Sequence, residues 1–161
     1  MPDLLVNLYS AKLSELAEKV SRTAVQIRPV LPPEMRLVVE WVRVHFSENW
    51  ASEVSVAITR QPAACLIALD AGELVGFACY DTTARGFFGP TGVHPDCRGK
   101  GIGLALFSAS LQTMKTLGHA YAFVGDAGPV DFYANAVGAI EIPAENKGIY
   151  EGMLRAKRPQ A

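Results

Sequence analysis

The hydrophobic and polar positions of the chain follow two periods, and together they predict a mixture of helices and strands. Apolar residues recur at helical spacing in segments 3–20, 35–46, 50–59, 103–117 and 130–137. Shorter apolar runs, typical of strands, occupy segments 23–30, 65–69, 74–80, 85–93, 120–125, 139–142 and 149–154. Asp70-Ala71-Gly72-Glu73, between the second and third strands, has the composition of a hairpin turn. The pattern therefore predicts an α/β chain whose middle strands follow one another directly.

One of the predicted strands, segment 85–93, contains an internal proline, Pro90, directly after Gly89. Proline has no N–H group and cannot donate a hydrogen bond to a neighbouring strand. The strand must therefore bulge at Pro90 or lose its neighbour there.

The composition limits the kinds of partner that the chain can have. Its 161 residues suit a single domain, expected as a helical extension over 1–22, a main domain over 23–154 and a disordered basic tail over 155–161. The net charge of −1 argues against nucleic acid, whose binding depends on many contacts with phosphates. No apolar run approaches the ~20 residues of a membrane span, and the N-terminus lacks the pattern of a signal peptide.

The three cysteines, Cys65, Cys79 and Cys97, are odd in number and lack the spacing of metal ligands. They are expected to be free thiols in a reducing compartment, so the expected location is cytoplasmic and no metal is expected.

Candidate chemistry is concentrated in segment 92–103, GVHPDCRGKGIG, which lies between a predicted strand and a predicted helix. A strand, a glycine-rich turn and a helix in this order form an anion site, because the first N–H groups of a helix lack partners inside it. Glycines allow the positive φ angles that let successive N–H groups converge on a ligand. Arg98 and Lys100 add positive charge. The segment therefore predicts a phosphate or pyrophosphate held at the start of the 103–117 helix.

Two common phosphate-binding motifs do not fit this segment. A P-loop requires Ser or Thr after Gly-Lys, but Gly101 follows Lys100. The dinucleotide fingerprint requires a third glycine where Leu104 stands. The pattern Arg-x-x-Gly-x-Gly from Arg98 to Gly103, preceded by Val93-x-Pro95, resembles the acetyl-CoA-binding motif of the GNAT family, the GCN5-related N-acetyltransferases.

The order of predicted elements over residues 23–154 also resembles the architecture of this family. The resemblance implies an α/β fold with a central mixed, mostly antiparallel sheet that is splayed between the fourth and fifth strands and flanked by helices. The splay would admit the pantetheine arm of acetyl-CoA, the implied co-substrate, and Pro90 is a local reason for it. The helix within residues 1–22 is an addition to this core. It either packs on its own domain or forms the contact of a homodimer.

The resemblance also implies residue roles around the cofactor. Tyr133, followed by Gly138, would be the general acid that protonates the departing thiolate, since its ordinary pKa of ~10 keeps it protonated. The alternative is that Tyr133 only covers the apolar face of its helix. The main-chain N–H of Val93 or a neighbour would stabilise the oxyanion, with Gly92 easing close approach. The implied cofactor-binding residues are Gly92, Val93, Arg98, Gly99, Lys100, Gly101, Ile102 and Gly103.

The same resemblance assigns the acceptor wall to segment 46–53 and a late hairpin. The implied substrate-binding residues are Phe46, Asn49, Trp50 and Glu53, which suit a small amine with an apolar part or a peptide amine. Phe46 and Trp50 have the alternative role of core anchors. Asp126, where many family members have asparagine, is a candidate catalytic base, with helix capping as its alternative role. Glu53 is a second candidate for the base.

The expected function is transfer of the acetyl group of acetyl-CoA to a primary amine, by direct attack in a ternary complex. Direct attack is expected because no cysteine is paired with an evident base. A non-catalytic acyl-CoA-binding sensor or interaction module is the alternative, since it would keep residues 98–103 and could dispense with Tyr133. An unrelated nucleotide-binding protein is a third alternative, and it would prefer ATP or NAD to CoA.

Overall fold

The computed structural model describes residues 1–157, so part of the tail predicted at 155–161 lies outside the described residues. The strands are β1 (Leu4–Asn7), β2 (Gln26–Pro29), β3 (Cys65–Asp70), β4 (Glu73–Tyr80), β5 (Phe87–Val93), β6 (Tyr121–Val124) and β7 (Ile140–Glu141). The α-helices are α1 (Ala11–Val20), α2 (Met35–His45), α3 (Glu48–Thr59), α4 (Ile102–Thr116) and α5 (Val130–Val137). Short 3₁₀ segments occupy Pro32–Glu34, Pro95–Cys97 and Gly148–Tyr150.

The described strands form one mixed sheet in the order β2-β3-β4-β5-β6-β1-β7. All neighbouring pairs are antiparallel except β5 and β6, which are parallel. The predicted hairpin between β3 and β4 is confirmed, with positive φ angles of 49° and 84° at Ala71 and Gly72, as in a type I′ turn. The predicted mixed α/β sheet with flanking helices is therefore confirmed.

Helices cover both faces of the sheet. On one face, Gly76 of β4 approaches Leu106 and Ile102 of α4. On the other face, the adjacent Phe77 packs against the aromatic rings of Phe46 and Trp50 near the start of α3. Successive residues of a strand point to opposite faces, so α4 and the α2–α3 pair sandwich the middle of the sheet.

The prediction of one helix over residues 3–20 is wrong in its first part. Leu4 and Val6 are fully buried and Asn7 is exposed, so β1 has the alternating burial of a strand. Helix α1 begins only at Ala11, where the Ser10 hydroxyl accepts a hydrogen bond from the N–H of Lys12. Leu13 and Leu16 of α1 are buried, and the helix packs on α4 and α5 of its own domain. Of the two roles expected for this helix, the structure shows packing within the domain.

The prediction of a last strand over 149–154 is also wrong, because these residues form a 3₁₀ turn and irregular chain. The sheet is completed by β1 instead, which lies between β6 and β7. The strand predicted at 139–142 is present but has only two residues, Ile140–Glu141.

The remaining predicted elements are confirmed with small shifts of their ends. The largest shift in a helix is in α3, which begins at Glu48 rather than at residue 50. Ser47 causes this earlier start, because its hydroxyl accepts a hydrogen bond from the N–H of Trp50. Most of segment 46–53 is therefore the first part of a helix rather than a turn. Within residues 1–157, no helix has both the length and the apolar character needed to cross a membrane.

Candidate active site

The sheet opens between β5 and β6, the fourth and fifth of the strands predicted from residue 23 onward. The two strands pair only at Phe87 with Phe123 and at Phe88 with Val124, and beyond Phe88 the strand β5 continues to Val93 paired with β4 alone. The opening follows a bulge, because Thr91 pairs with Ala78 and Phe88 with Tyr80 of β4. Two residues of β5, Gly89 and Pro90, therefore face one residue of β4. The predicted bulge and splay at Pro90 are both present.

The open edge of β5 presents main-chain groups to this gap. The N–H of His94 donates to the carbonyl of Val75 in the adjacent β4 segment, at 2.8 Å. Because main-chain groups alternate in direction along a strand, the N–H of Val93 faces the opposite side, toward the gap. The Val93 carbonyl accepts a hydrogen bond from Nε of Arg98 at 3.3 Å, so the arginine side chain also lies beside the gap. One main-chain donor and one cation therefore border the opening.

The loop that enters α4 carries the unpaired donors expected of an anion site. Gly99 and Gly101 have φ angles of 78° and 80°, and Gly101 is the N-cap of the helix. Within residues 1–157, the main-chain N–H groups of residues 99–104 donate to no acceptor. Arg98 and Lys100 are exposed beside them. This arrangement can hold an oxyanion group such as a phosphate.

A cleft of about 720 Å³ lies at the opening of the sheet. It brings together five of the predicted site residues, namely Asn49, Trp50, Glu53, Asp126 and Tyr133. Pro90 and Phe88 of β5 form part of its wall, so the cleft reaches the gap between β5 and β6. The predicted residues Phe46, Gly92 and Val93 and the loop 98–103 are not among the residues that line it. The predicted acceptor residues other than Phe46 thus share one cavity with Tyr133 and Asp126, whereas the predicted phosphate site is separate.

Tyr133 lies on α5, which Gly138 ends in the left-handed conformation, as predicted. Its side chain is 7% exposed, and its ring packs edge-on against Phe107 of α4 at 5.2 Å between centroids. Burial raises the pKa of the Tyr133 phenol above its ordinary value. The hydroxyl is therefore protonated at neutral pH, as a general acid requires.

Glu53 and Tyr150 form a polar part of the cleft, and Tyr150 was not predicted as a site residue. The carboxylate of Glu53 accepts a hydrogen bond from the Thr83 hydroxyl. Burial, and then the nearby carboxylates of Glu53, Asp3 and Asp126, raise the pKa of Tyr150 to about 12. In the sequence, Tyr150 is marked only by its aromatic side chain, and the apolar pattern of residues 149–154 predicted a strand there rather than a site.

Asp126 follows β6 at the cleft and has a φ of 48°. Its N–H donates to a carboxylate oxygen of Asp3 at 2.8 Å, and its side chain is 62% exposed. The alternative role of helix capping is wrong, because the N-cap of α5 is Pro129 and no side chain caps that end. The carboxylate lies 3.6 Å from the N-terminal ammonium of Met1, but it remains mostly exposed and can still be reached by a bound molecule.

Phe46 is an aromatic anchor of the core. Its ring lies 5.6 Å from Phe77 and 5.2 Å from Trp50 between centroids, and its edge covers Gly92. Gly92 is therefore required for packing against Phe46, which differs from the predicted role of easing the approach of a ligand. Within residues 1–157, no cluster of three or more His, Cys, Asp or Glu residues could hold a metal ion.

A model of the acetyltransferase (GNAT) family matches residues 32–138, more than half of the chain, and the chain therefore belongs to this family. Membership implies acetyl transfer that depends on acyl-CoA. No curated protein sequence matches the chain.

Three solved structures illustrate the shared fold. A GCN5-related glucosamine N-acetyltransferase region of a fungal multi-domain GH3 β-N-acetylglucosaminidase has a TM-score of 0.71 at 14% identity, covering 88% of this chain and 19% of that one. A GCN5-related N-acetyltransferase from Sphaerobacter thermophilus has a TM-score of 0.63 at 20% identity, and the match covers 88% of this chain and 48% of that one. A GNAT acetyltransferase from Brucella melitensis, in complex with acetyl-CoA, has a TM-score of 0.50 at 21% identity, and the match covers 70% of this chain and 82% of that one. The chain thus spans less than half the length of the first two.

Proposed function

We propose that the protein is an N-acetyltransferase that moves the acetyl group of acetyl-CoA to a primary amine. The observation that carries this proposal is the gap between β5 and β6, which joins the cleft of Tyr133 and Glu53 to the strand that leads to the free amides of α4. A molecule with a diphosphate at one end and a thioester at the other matches this arrangement. We also propose the cytoplasm, where acetyl-CoA is available, as its location.

The diphosphate of acetyl-CoA binds the N–H groups of residues 99–104, with Arg98 and Lys100 adding positive charge. The pantetheine arm then follows β5 through the gap, where the strand has lost its neighbour. This path brings the thioester carbonyl to the N–H of Val93, and such a donor can stabilise the transition state by ~3 kcal/mol.

The amine attacks the thioester carbon directly in a ternary complex, so a C–N bond forms while the carbonyl oxygen gains negative charge. When the tetrahedral intermediate collapses, the C–S bond breaks and the sulfur leaves with the electron pair. Tyr133 gives its proton to that sulfur, which produces free CoA. The acceptor arrives as an ammonium ion and first loses one proton to Asp126, directly or through water, which frees the lone pair that attacks. Asp126 passes this proton to solvent and takes the second N–H proton as the intermediate collapses. Tyr133 is then reprotonated from solvent.

The acceptor is a cation before it reacts, and the cleft supports such a substrate. Glu53 and Asp126 provide two carboxylates, and the Tyr150 hydroxyl provides a neutral hydrogen-bonding group in the same cleft. Trp50 adds an apolar surface, while Asn49 adds an amide. A primary ammonium group attached to a short apolar part fits these groups best.

The experiment is a screen of small and peptide amines with acetyl-CoA, followed by measuring the release of free thiol. We expect release that depends on one class of amine, and loss of that release in Glu53→Gln with CoA affinity retained. Binding of CoA without thiol release for any amine would favour the alternative of a non-catalytic acyl-CoA sensor. Preference for ATP or NAD over CoA in calorimetry would contradict the proposal altogether.

A further inference from the structure

A second groove lies beside the proposed diphosphate site, on the face of the sheet that α4 covers. It has a volume of about 350 Å³, and we call it the α1–α5 groove. Its walls include Lys12, Glu15 and Lys19 of α1, Leu104 of α4, and Phe132 and Asn135 of α5. Most of its lining therefore comes from α1, which precedes the part of the chain that the family model matches, and from α5.

One end of the α1–α5 groove adjoins the unpaired N–H groups of residues 99–104. Leu104 belongs to the first turn of α4, and its N–H is among the unpaired donors of residues 99–104. The two helices α1 and α4 run antiparallel. At one end of the pair, the ammonium of Lys115 lies over the ring of Tyr9, and at the other end Thr23 approaches Gly101. Lys19, in the last turn of α1 and four residues before Thr23, therefore lies near the diphosphate site.

Two features of the groove match a phosphorylated nucleoside. Phe132 is 38% exposed, and its ring can stack on a purine base. Lys19 is exposed and makes no ion pair within residues 1–157. Lys12 is different, because its Nζ lies against Gly138 at the C-terminal end of α5, where the helix dipole favours a cation.

We propose that the α1–α5 groove binds the adenosine 3′-phosphate end of CoA, with Lys19 on the 3′-phosphate and the base against Phe132. This inference rests on the proposed function, because it assumes that the diphosphate lies at residues 99–104 and the pantetheine arm in the gap. The adenosine end must then leave the diphosphate in another direction, and the groove is the neighbouring cavity. Glu15, between the two lysines, accepts a hydrogen bond from the amino group of the base or from a ribose hydroxyl.

The test compares CoA with 3′-dephospho-CoA, which lacks only the 3′-phosphate, by calorimetry at low and high salt. For Lys19→Gln, we expect CoA affinity to fall about tenfold while the affinity for dephospho-CoA falls much less, because only CoA carries the 3′-phosphate that pairs with Lys19. The difference between the ligands should shrink at high salt. Lys115→Gln, at the far end of the same helix pair, is the matched control and should leave both affinities unchanged.

A second variant tests the base. Phe132→Leu keeps an apolar side chain but removes the ring, so both CoA and dephospho-CoA should bind about tenfold more weakly. The affinity for 4′-phosphopantetheine, which has no adenosine, should not change. Thermal unfolding of each variant checks that the fold is retained.

The outcomes separate this inference from the proposed function. If wild-type protein binds no CoA, both are overturned. If it binds CoA but Lys19→Gln weakens CoA and dephospho-CoA equally, or weakens neither, the groove does not hold the 3′-phosphate, whereas the proposed function still stands.

Discussion

The ring of Phe46 covers the Cα of Gly92, so that this position of β5 has no room for a side chain. A Cβ built on Gly92 would overlap Cζ of Phe46 and lie 2.7 Å from its Cε1, closer than real Cβ atoms come. The contact joins the end of α2 to the strand that borders the gap, next to Val93. It therefore couples the packing of the aromatic cluster to the position of the proposed oxyanion donor.

Gly92→Ala should destabilise the fold by about 1–3 kcal/mol, because the methyl group forces the half-buried ring of Phe46 to move out of its packed position. Denaturant unfolding measures this loss. Combining the change with Phe46→Leu should recover part of it, since the smaller side chain leaves room. Gly128→Ala is the control, because nothing lies within 4 Å of a Cβ built there. Equal free energies of unfolding for Gly92→Ala and wild type would mean that the ring of Phe46 can move without loss of stability.

Tyr133→Phe should lower turnover by about 10²-fold and leave CoA affinity almost unchanged, because it removes the proton donor but keeps the buried ring. Steady-state thiol release and calorimetry measure the two effects separately. Tyr121→Phe, at an exposed tyrosine, is the control. If Tyr133→Phe turns over as fast as wild type, then Tyr133 has no part in the chemistry.

Gly103→Leu should change stability and cofactor binding in opposite directions. A Cβ on Gly103 makes only an ordinary contact of 3.6 Å with Val93, and replacing a helical glycine adds up to ~1 kcal/mol of stability. The larger side chain should nevertheless block the diphosphate and raise the Kd for CoA by about tenfold or more, with a smaller effect for Gly103→Ala. Unchanged CoA binding in calorimetry would show that the phosphate site lies elsewhere.

Tyr150 should make the protein less stable at alkaline pH. Its pKa is about 12 in the folded protein, against ~10 in an unfolded chain. Between these values the unfolded state has lost the phenol proton and the folded state has kept it, so stability falls as pH rises from about 10 to 12. Unfolding free energies measured across this range should fall less steeply in Tyr150→Phe. Identical slopes would mean that the phenol is not shielded as the structure indicates.

Local sequence patterns were sufficient to predict those helices and strands whose end and turn residues give a clear signal within a short stretch of the chain. The β3–β4 hairpin has its turn residues at Ala71 and Gly72, and α5 is bounded by Pro129 and Gly138. The bulge of β5 could be predicted because a proline inside a strand has few structural solutions.

The predictions that failed concern short segments whose pairing partners are distant in the chain. Four residues at β1 are too few to separate a strand from the start of a helix, and the apolar spacing of Leu5 and Leu8 suggested a helix. Pairing with β6 and β7, as of Leu4 with Val124, is what makes this segment a strand. Tyr150 was missed for the same reason, because its surroundings come from Glu53, Asp3 and Asp126, far from it in the sequence.

The position of β1 has a consequence for how the chain folds. During synthesis, the segment from Leu4 to Asn7 leaves the ribosome long before the partners it pairs with at residues 121–124 and 140–141. Its apolar side chains must remain unpaired until more than a hundred further residues have emerged. Closure of the sheet through this strand is therefore a late, long-range event, which is the kind of step that slows folding.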